Sequence, residues 1–141
     1  MLTKSRKLLT PIASATVLLA VAVSPVRADS YTIPKDQIDK QKIFYGPSEV
    51  FSKPAEVDYC EVVKATPEYA EIKKNKIERG TGKYWILVEQ ASERAIRAIR
   101  TYGKETEYDL IAASGYLGGL KPPIPAKNVT KDIIELMLDD K

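Results

Sequence analysis

The 141-residue chain has no histidine and one cysteine, Cys60. Most metal sites and most triad or acid–base chemistry lean on His. The expectation is therefore a non-enzyme with no metal and no cofactor. Carboxylate chemistry remains open in principle, but no carboxylate constellation stands out. A single Cys makes no internal disulfide. It either pairs between chains or, more simply, packs as a small, partly buried apolar residue. Tryptophan is also scarce: Trp85 is the only one.

Long apolar runs are equally rare. The one present, Leu8 to Val23, follows Lys4, Arg6 and Lys7 and precedes Ser24-Pro25-Val26-Arg27-Ala28. Basic, apolar and small-residue segments in that order are the pattern of a cleavable secretory signal over residues 1–28. The run is 16 residues long and contains Pro11 and Ser14, whereas a spanning helix needs about 20 apolar residues. Periplasmic or otherwise secreted localisation is expected. The formal charge of +3 falls to −1 for residues 29–141, since 1–28 carries four basic residues and no acid. A nucleic-acid partner has no support in that balance.

The remaining 113 residues suffice for one small domain. Residues 29–54 read as an extended arm or linker, with apolar residues too widely spaced for a helix face or strand. Tyr45-Gly46-Pro47-Ser48 signals a turn, Pro54 interrupts regular structure, and Val50 and Phe51 are candidates to pin the arm. Ala55 to Tyr59 is either a short strand or the lead into a helix capped by Asp58.

Thr66-Pro67-Glu68 is a helix start, with a cap, Pro at the first helical position and an acid in the first turn. The helix is predicted to end near Glu78. Gly80 and Gly82 imply a turn between helices, a continuous helix being the alternative. Lys83 to about Glu105 is the strongest helical pattern, with Tyr84, Leu87 or Val88, Ala91, Ala95, Ala98 or Ile99, and Tyr102 recurring at three- and four-residue steps. Tyr108 to Ala113 is a strand candidate. Pro122, Pro123 and Pro125 make an irregular connector. Thr130 caps a final helix whose buried face is expected from Ile133, Ile134, Leu136, Met137 and Leu138.

Three segments, in this order, resemble the OmpH family of Skp-like periplasmic chaperones: Val57-Asp58 through Thr66-Pro67-Glu68-Tyr69, then Tyr108-Asp109-Leu110-Ile111, then Asn128-Val129-Thr130-Lys131-Asp132-Ile133. The resemblance spans most of residues 55–141. It implies an α+β, mostly helical fold: a two-helix hairpin flanked by short strands, with a C-terminal helix and the extended N-terminal arm. It also implies a homo-oligomer, a trimer in that family, that holds unfolded or outer-membrane proteins without ATP. Two departures stand out. Hairpin arms of about 21 and 23 residues, some 30–35 Å each, are short for that family, and the mature chain is nearly neutral where such chaperones are commonly basic.

Tyr69, Tyr84, Trp85 and Val88 are the candidate binding residues. For Tyr84 and Trp85 the plainer expectation is packing between the helices. Arg94, Arg97 and Arg100 either face a membrane surface or acidic partner or, more simply, form a solvated face paired with glutamates such as Glu93. Gly80-Thr81-Gly82-Lys83 lacks the strand and spacing of a phosphate loop. The alternative function is a structural or adaptor protein of the envelope that docks a partner through its arm.

Overall fold

The computed structural model describes residues 29–140; the expected signal segment 1–28 lies outside them. The fold is α+β and mostly helical. A four-stranded sheet is formed by β1 (Ile43–Tyr45), β2 (Pro54–Val57), β3 (Leu110–Ala113) and β4 (Lys127–Asn128). Its spatial order is β1-β3-β2-β4. The β2, β3 and β4 strands run parallel, and β1 is antiparallel to β3.

Parallel neighbours need a crossover. Between β2 and β3 it is made by α1 (Tyr59–Lys64), α2 (Pro67–Lys74) and α3 (Gly82–Glu105). The proline-containing connector then carries the chain from β3 past β2 to β4, which pairs with β2, and α4 (Thr130–Asp139) closes the chain.

Alternation along β3 decides which residues face which layer. Ile111 joins Ala55, Val57, Val62, Ala95, Ile99 and Ile133 in a core between sheet and helices. Leu110 and Ala112 point the other way, into a second core with Ile33, Phe51, Leu117 and Leu120. Burial on both faces explains why this strand reads as an unbroken apolar run.

The second core corrects the expected arm. Residues 29–54 are extended in part but are not separate from the body. They supply edge strand β1, and Ile33 and Phe51 are buried. Tyr31 and Phe51 form a bridge through paired backbone bonds. The Tyr116 hydroxyl donates to the Gln37 carbonyl at 2.8 Å and accepts from the Asp39 N–H at 2.9 Å. Of the two expected anchors only Phe51 is one; Val50 is exposed. Pro54, expected to interrupt structure, opens β2, where its missing N–H takes nothing from the pairing with β3 that starts there.

Asp109, just before β3, ties this segment down. Its carboxylate accepts from the Ser52 N–H (2.7 Å), the Ser52 hydroxyl (3.0 Å) and the Lys53 N–H (2.8 Å). Burial pushes its pKa up, but these donors outweigh burial and hold it below the ordinary carboxylate value.

Several boundaries moved from expectation. Ala55 to Tyr59 satisfies both readings, a strand followed by an Asp58 cap whose side chain accepts from the Glu61 N–H. The first hairpin arm is not one helix. It breaks at Thr66, whose hydroxyl accepts from the Tyr69 N–H, and restarts at Pro67, which has no N–H to continue α1. The restarted helix stops at Lys74 rather than Glu78, with Lys76 in the left-handed region. Residues 75–81 are therefore the turn, and Thr81 caps α3 by accepting from the Tyr84 N–H. At the last helix Val129, not Thr130, holds the cap position. Thr130 is buried, and its hydroxyl accepts from the Asp58 N–H, binding α4 to the end of β2.

Candidate functional site

Helix α3 has 24 residues, about 36 Å at 1.5 Å per residue. Its second half lies on the sheet. Ala95, Ala98 and Ile99 sit in the first core, and Gly103 leaves room for the Tyr45 ring. The first turns, through Gln90, lie outside that core and pack with α2, where Ile72 and Leu87 are buried. The chain thus carries a short helical hairpin, α2 and the start of α3, projecting from a sheet-backed body.

The candidate residues fall on this hairpin end, and helix geometry assigns each its exposure. Leu87 and Ala91, four apart, define the buried stripe of α3. Trp85 lies two residues before Leu87, about 200° round the helix, and Ile86 about 100°. Trp85 is 59% exposed and Ile86 58%. Tyr84 and Val88 flank the stripe and are half-buried, as is Tyr69 on α2. The Tyr84 and Trp85 rings meet edge to face at 5.3 Å. Packing between the helices is therefore corrected for Trp85. It points away from α2 because Leu87 takes the inward direction. Ile86 was not among the expected residues, although its single-residue step from Leu87 puts it on the outer side.

The hairpin is held by an ion pair that its sequence separation concealed. Arg94 donates from Nε to both carboxylate oxygens of Glu68 (2.9 Å each) and from a terminal nitrogen at 2.7 Å. This corrects the expected pairing of the arginine stripe with Glu93. Arg97 and Arg100 are exposed as expected. The Arg94 hydrogen bonds hold Glu68 below its ordinary pKa despite partial burial.

A carboxylate with a lowered folded pKa contributes stability that is present above the unfolded value, near pH 4.3, and is lost as pH falls through the folded value. Replacing Glu68 with Gln is expected to cost about 1 kcal/mol at pH 7, a partly exposed pair being discounted for screening. Urea titrations of both proteins should converge as pH drops below about 4. A gap that persists unchanged in acid contradicts the ion-pair assignment.

Elsewhere the described residues form concavities, of which two are relevant to the chemistry expected here. One, of about 470 Å³, lies at the C-terminal ends of β2 and β3, with Lys42, Asp58, Cys60 and Ser114 on its walls. Cys60 is exposed there, not partly buried. It is the second residue of α1, and Val62 takes the inward position. The other, of about 340 Å³, lies between α3 and α4, with Arg94 and Arg97 near Leu136, Met137, Asp139 and Asp140. Among the described residues no cluster of His, Cys, Asp or Glu has the arrangement of a metal site. No helix there is long and apolar enough to cross a membrane.

In class, then, the molecule is a small mixed sheet with helices on one face and a short projecting hairpin. No protein-family model, curated protein or solved structure matches the chain.

Proposed function

We propose that the chain is a small, non-catalytic cell-envelope protein on the OmpH/Skp plan, exported by its first 28 residues. It binds unfolded or membrane-bound proteins without ATP, and on that plan it assembles as a homo-oligomer. The observation that carries this reading is the exposed Trp85–Ile86 pair at the free end of a hairpin. Large exposed apolar side chains that adjoin one another, away from any core, mark interaction surfaces. Tyr69, Tyr84 and Val88 add half-buried apolar surface beside them. The element order of strand, helices, strand and closing helix supports the plan, with the hairpin cut short. The adaptor alternative is the weaker reading, because Ile33 and Phe51 of the arm are buried in the second core and Val50 is the arm's one large exposed aliphatic side chain.

The test is aggregation of an unfolded outer-membrane protein diluted from denaturant. Residues 29–141 should suppress it in a dose-dependent way. No suppression at any ratio overturns the proposal.

A further inference from the structure

We infer that the crevice at the C-terminal ends of β2 and β3 binds a free aromatic α-amino acid. The crevice stands apart from the hairpin end, and the inference does not rest on the reading of that end as the client surface. Three observations converge on it.

The first is topology. β2 and β3 are parallel neighbours. The chain leaves β2 into the helices that cover the first core. It leaves β3 towards Leu117, Leu120 and Ile124 of the second core, on the opposite face of the sheet. Connections that part to opposite faces leave a crevice outside the carboxyl ends of the strands, the place where open parallel sheets take their ligands. The concavity of about 470 Å³ lies there, a size suited to a small molecule.

The second is charge. Ile43 of β1 pairs with Ala112 of β3, and Val57 of β2 pairs with Ala113. β1 runs antiparallel to β3, so Lys42, just before it, and Asp58, just after β2, flank the end of β3 from its two sides. Two strand spacings, about 10 Å, separate their backbones. Both residues line the concavity, with the exposed Ser114 between them. Neither has an ion-pair partner among the described residues. One Asp58 oxygen accepts from the Glu61 N–H at 3.1 Å, which leaves the other for a ligand. A cation and an anion on opposite sides of one small cavity suit a molecule that is neutral overall and charged at both ends. An α-carboxylate goes to Lys42 and an α-ammonium to Asp58.

The third is the apolar wall. The Phe44 and Tyr59 rings stack with centroids 5.4 Å apart and planes at 22°. With Val57 and Ile96 they make the apolar side of the cavity. Both rings are half-buried, so each keeps surface for a ligand. A third ring gains from offset or edge-to-face contact with such a pair beyond its burial, which an aliphatic side chain does not.

Cys60 is exposed, lines the same cavity and is the chain's only cysteine. Its alkylation by iodoacetamide therefore reports occupancy. Both cores lie within residues 31–137, and residues 29–141 are the protein to use. L-Phenylalanine should slow the alkylation saturably, with a Kd that calorimetric titration reproduces. 3-Phenylpropionate lacks the ammonium and phenethylamine lacks the carboxylate. Each should bind at least about tenfold more weakly, the worth of one hydrogen bond to a charged group. Lys42→Met should weaken L-phenylalanine by a similar factor without weakening phenethylamine. Asp58→Asn, whose side chain still caps α1, should weaken L-phenylalanine without weakening 3-phenylpropionate. Unfolding midpoints equal to wild type confirm that both variants keep the fold.

Unchanged alkylation and no heat with L-phenylalanine at millimolar concentration overturn the inference. Equal binding of the three compounds overturns it too, as does wild-type affinity for L-phenylalanine in both variants. Aggregation suppression plays no part in these readouts, so this inference and the proposed function stand or fall separately.

Discussion

Replacing Phe51 with Ala is expected to lower the unfolding free energy by about 3–5 kcal/mol. Phe51 is 2% exposed. It stacks on Tyr31 with ring centroids 6.1 Å apart and fills the core behind Leu110 and Ala112. Truncation leaves a cavity under a sheet whose strands are at most four residues long, with little hydrogen bonding to spare. Domains of this size are stable by only about 5–15 kcal/mol, so a large part of the total would go. Urea unfolding followed by circular dichroism checks it. A loss under about 1 kcal/mol would mean that residues 29–54 are peripheral, as an arm would be. Deleting the segment should prevent folding altogether, the opposite of what a detachable docking arm would do.

Gly46→Ala should be comparably severe for a different reason. Gly46 follows β1 with φ at +89°, a conformation that L residues adopt at a cost of about 1–2 kcal/mol. An added Cβ would also stand 1.9 Å from the Asp109 carbonyl oxygen. That oxygen belongs to the backbone and has no rotamer in which to retreat. Relief requires β1 to move off β3, taking with it the Asp109 clamp on Ser52 and Lys53. With overpacking costing a further 1–3 kcal/mol, the expected total is about 3 kcal/mol or more. Thermal unfolding should show a clearly lowered midpoint, and a wild-type midpoint would contradict the close approach.

These two sites show where the sequence was legible and where it was not. The Thr66-Pro67-Glu68 start, the α3 periodicity, a turn near Gly80 (though not its start at residue 75) and the β3 run were readable because each is decided within a few residues, by capping, propensity or spacing. Residues 29–54 were not. Ile33 and the Val50-Phe51 pair are widely spaced in a mostly polar segment, and β1 is three residues long. What buries Ile33 and Phe51 is Leu110 and Leu117, far along the chain.

The Glu68–Arg94 bridge spans 26 positions and could not be told from a solvated arginine stripe. Thr130 looked like a cap by composition, but its hydroxyl serves Asp58, 72 residues away. At the hairpin end the four binding candidates were placed on the right segment, yet the outward aim of Trp85 depended on whether Leu87 or its neighbours faced α2. Periodicity alone left that choice open, since Leu87 and Val88 fit the stripe equally well.

The central claim is that this hairpin end is where the protein does its binding. The most direct measurement is the aggregation assay run side by side with wild type and a Trp85→Ser, Ile86→Ser double variant. Both side chains are more than half exposed, so the variant should keep its fold and unfolding midpoint. The account predicts that wild type suppresses aggregation of the unfolded outer-membrane protein and that the variant loses most of that effect. Equal suppression by the two proteins, or none by either, would contradict it.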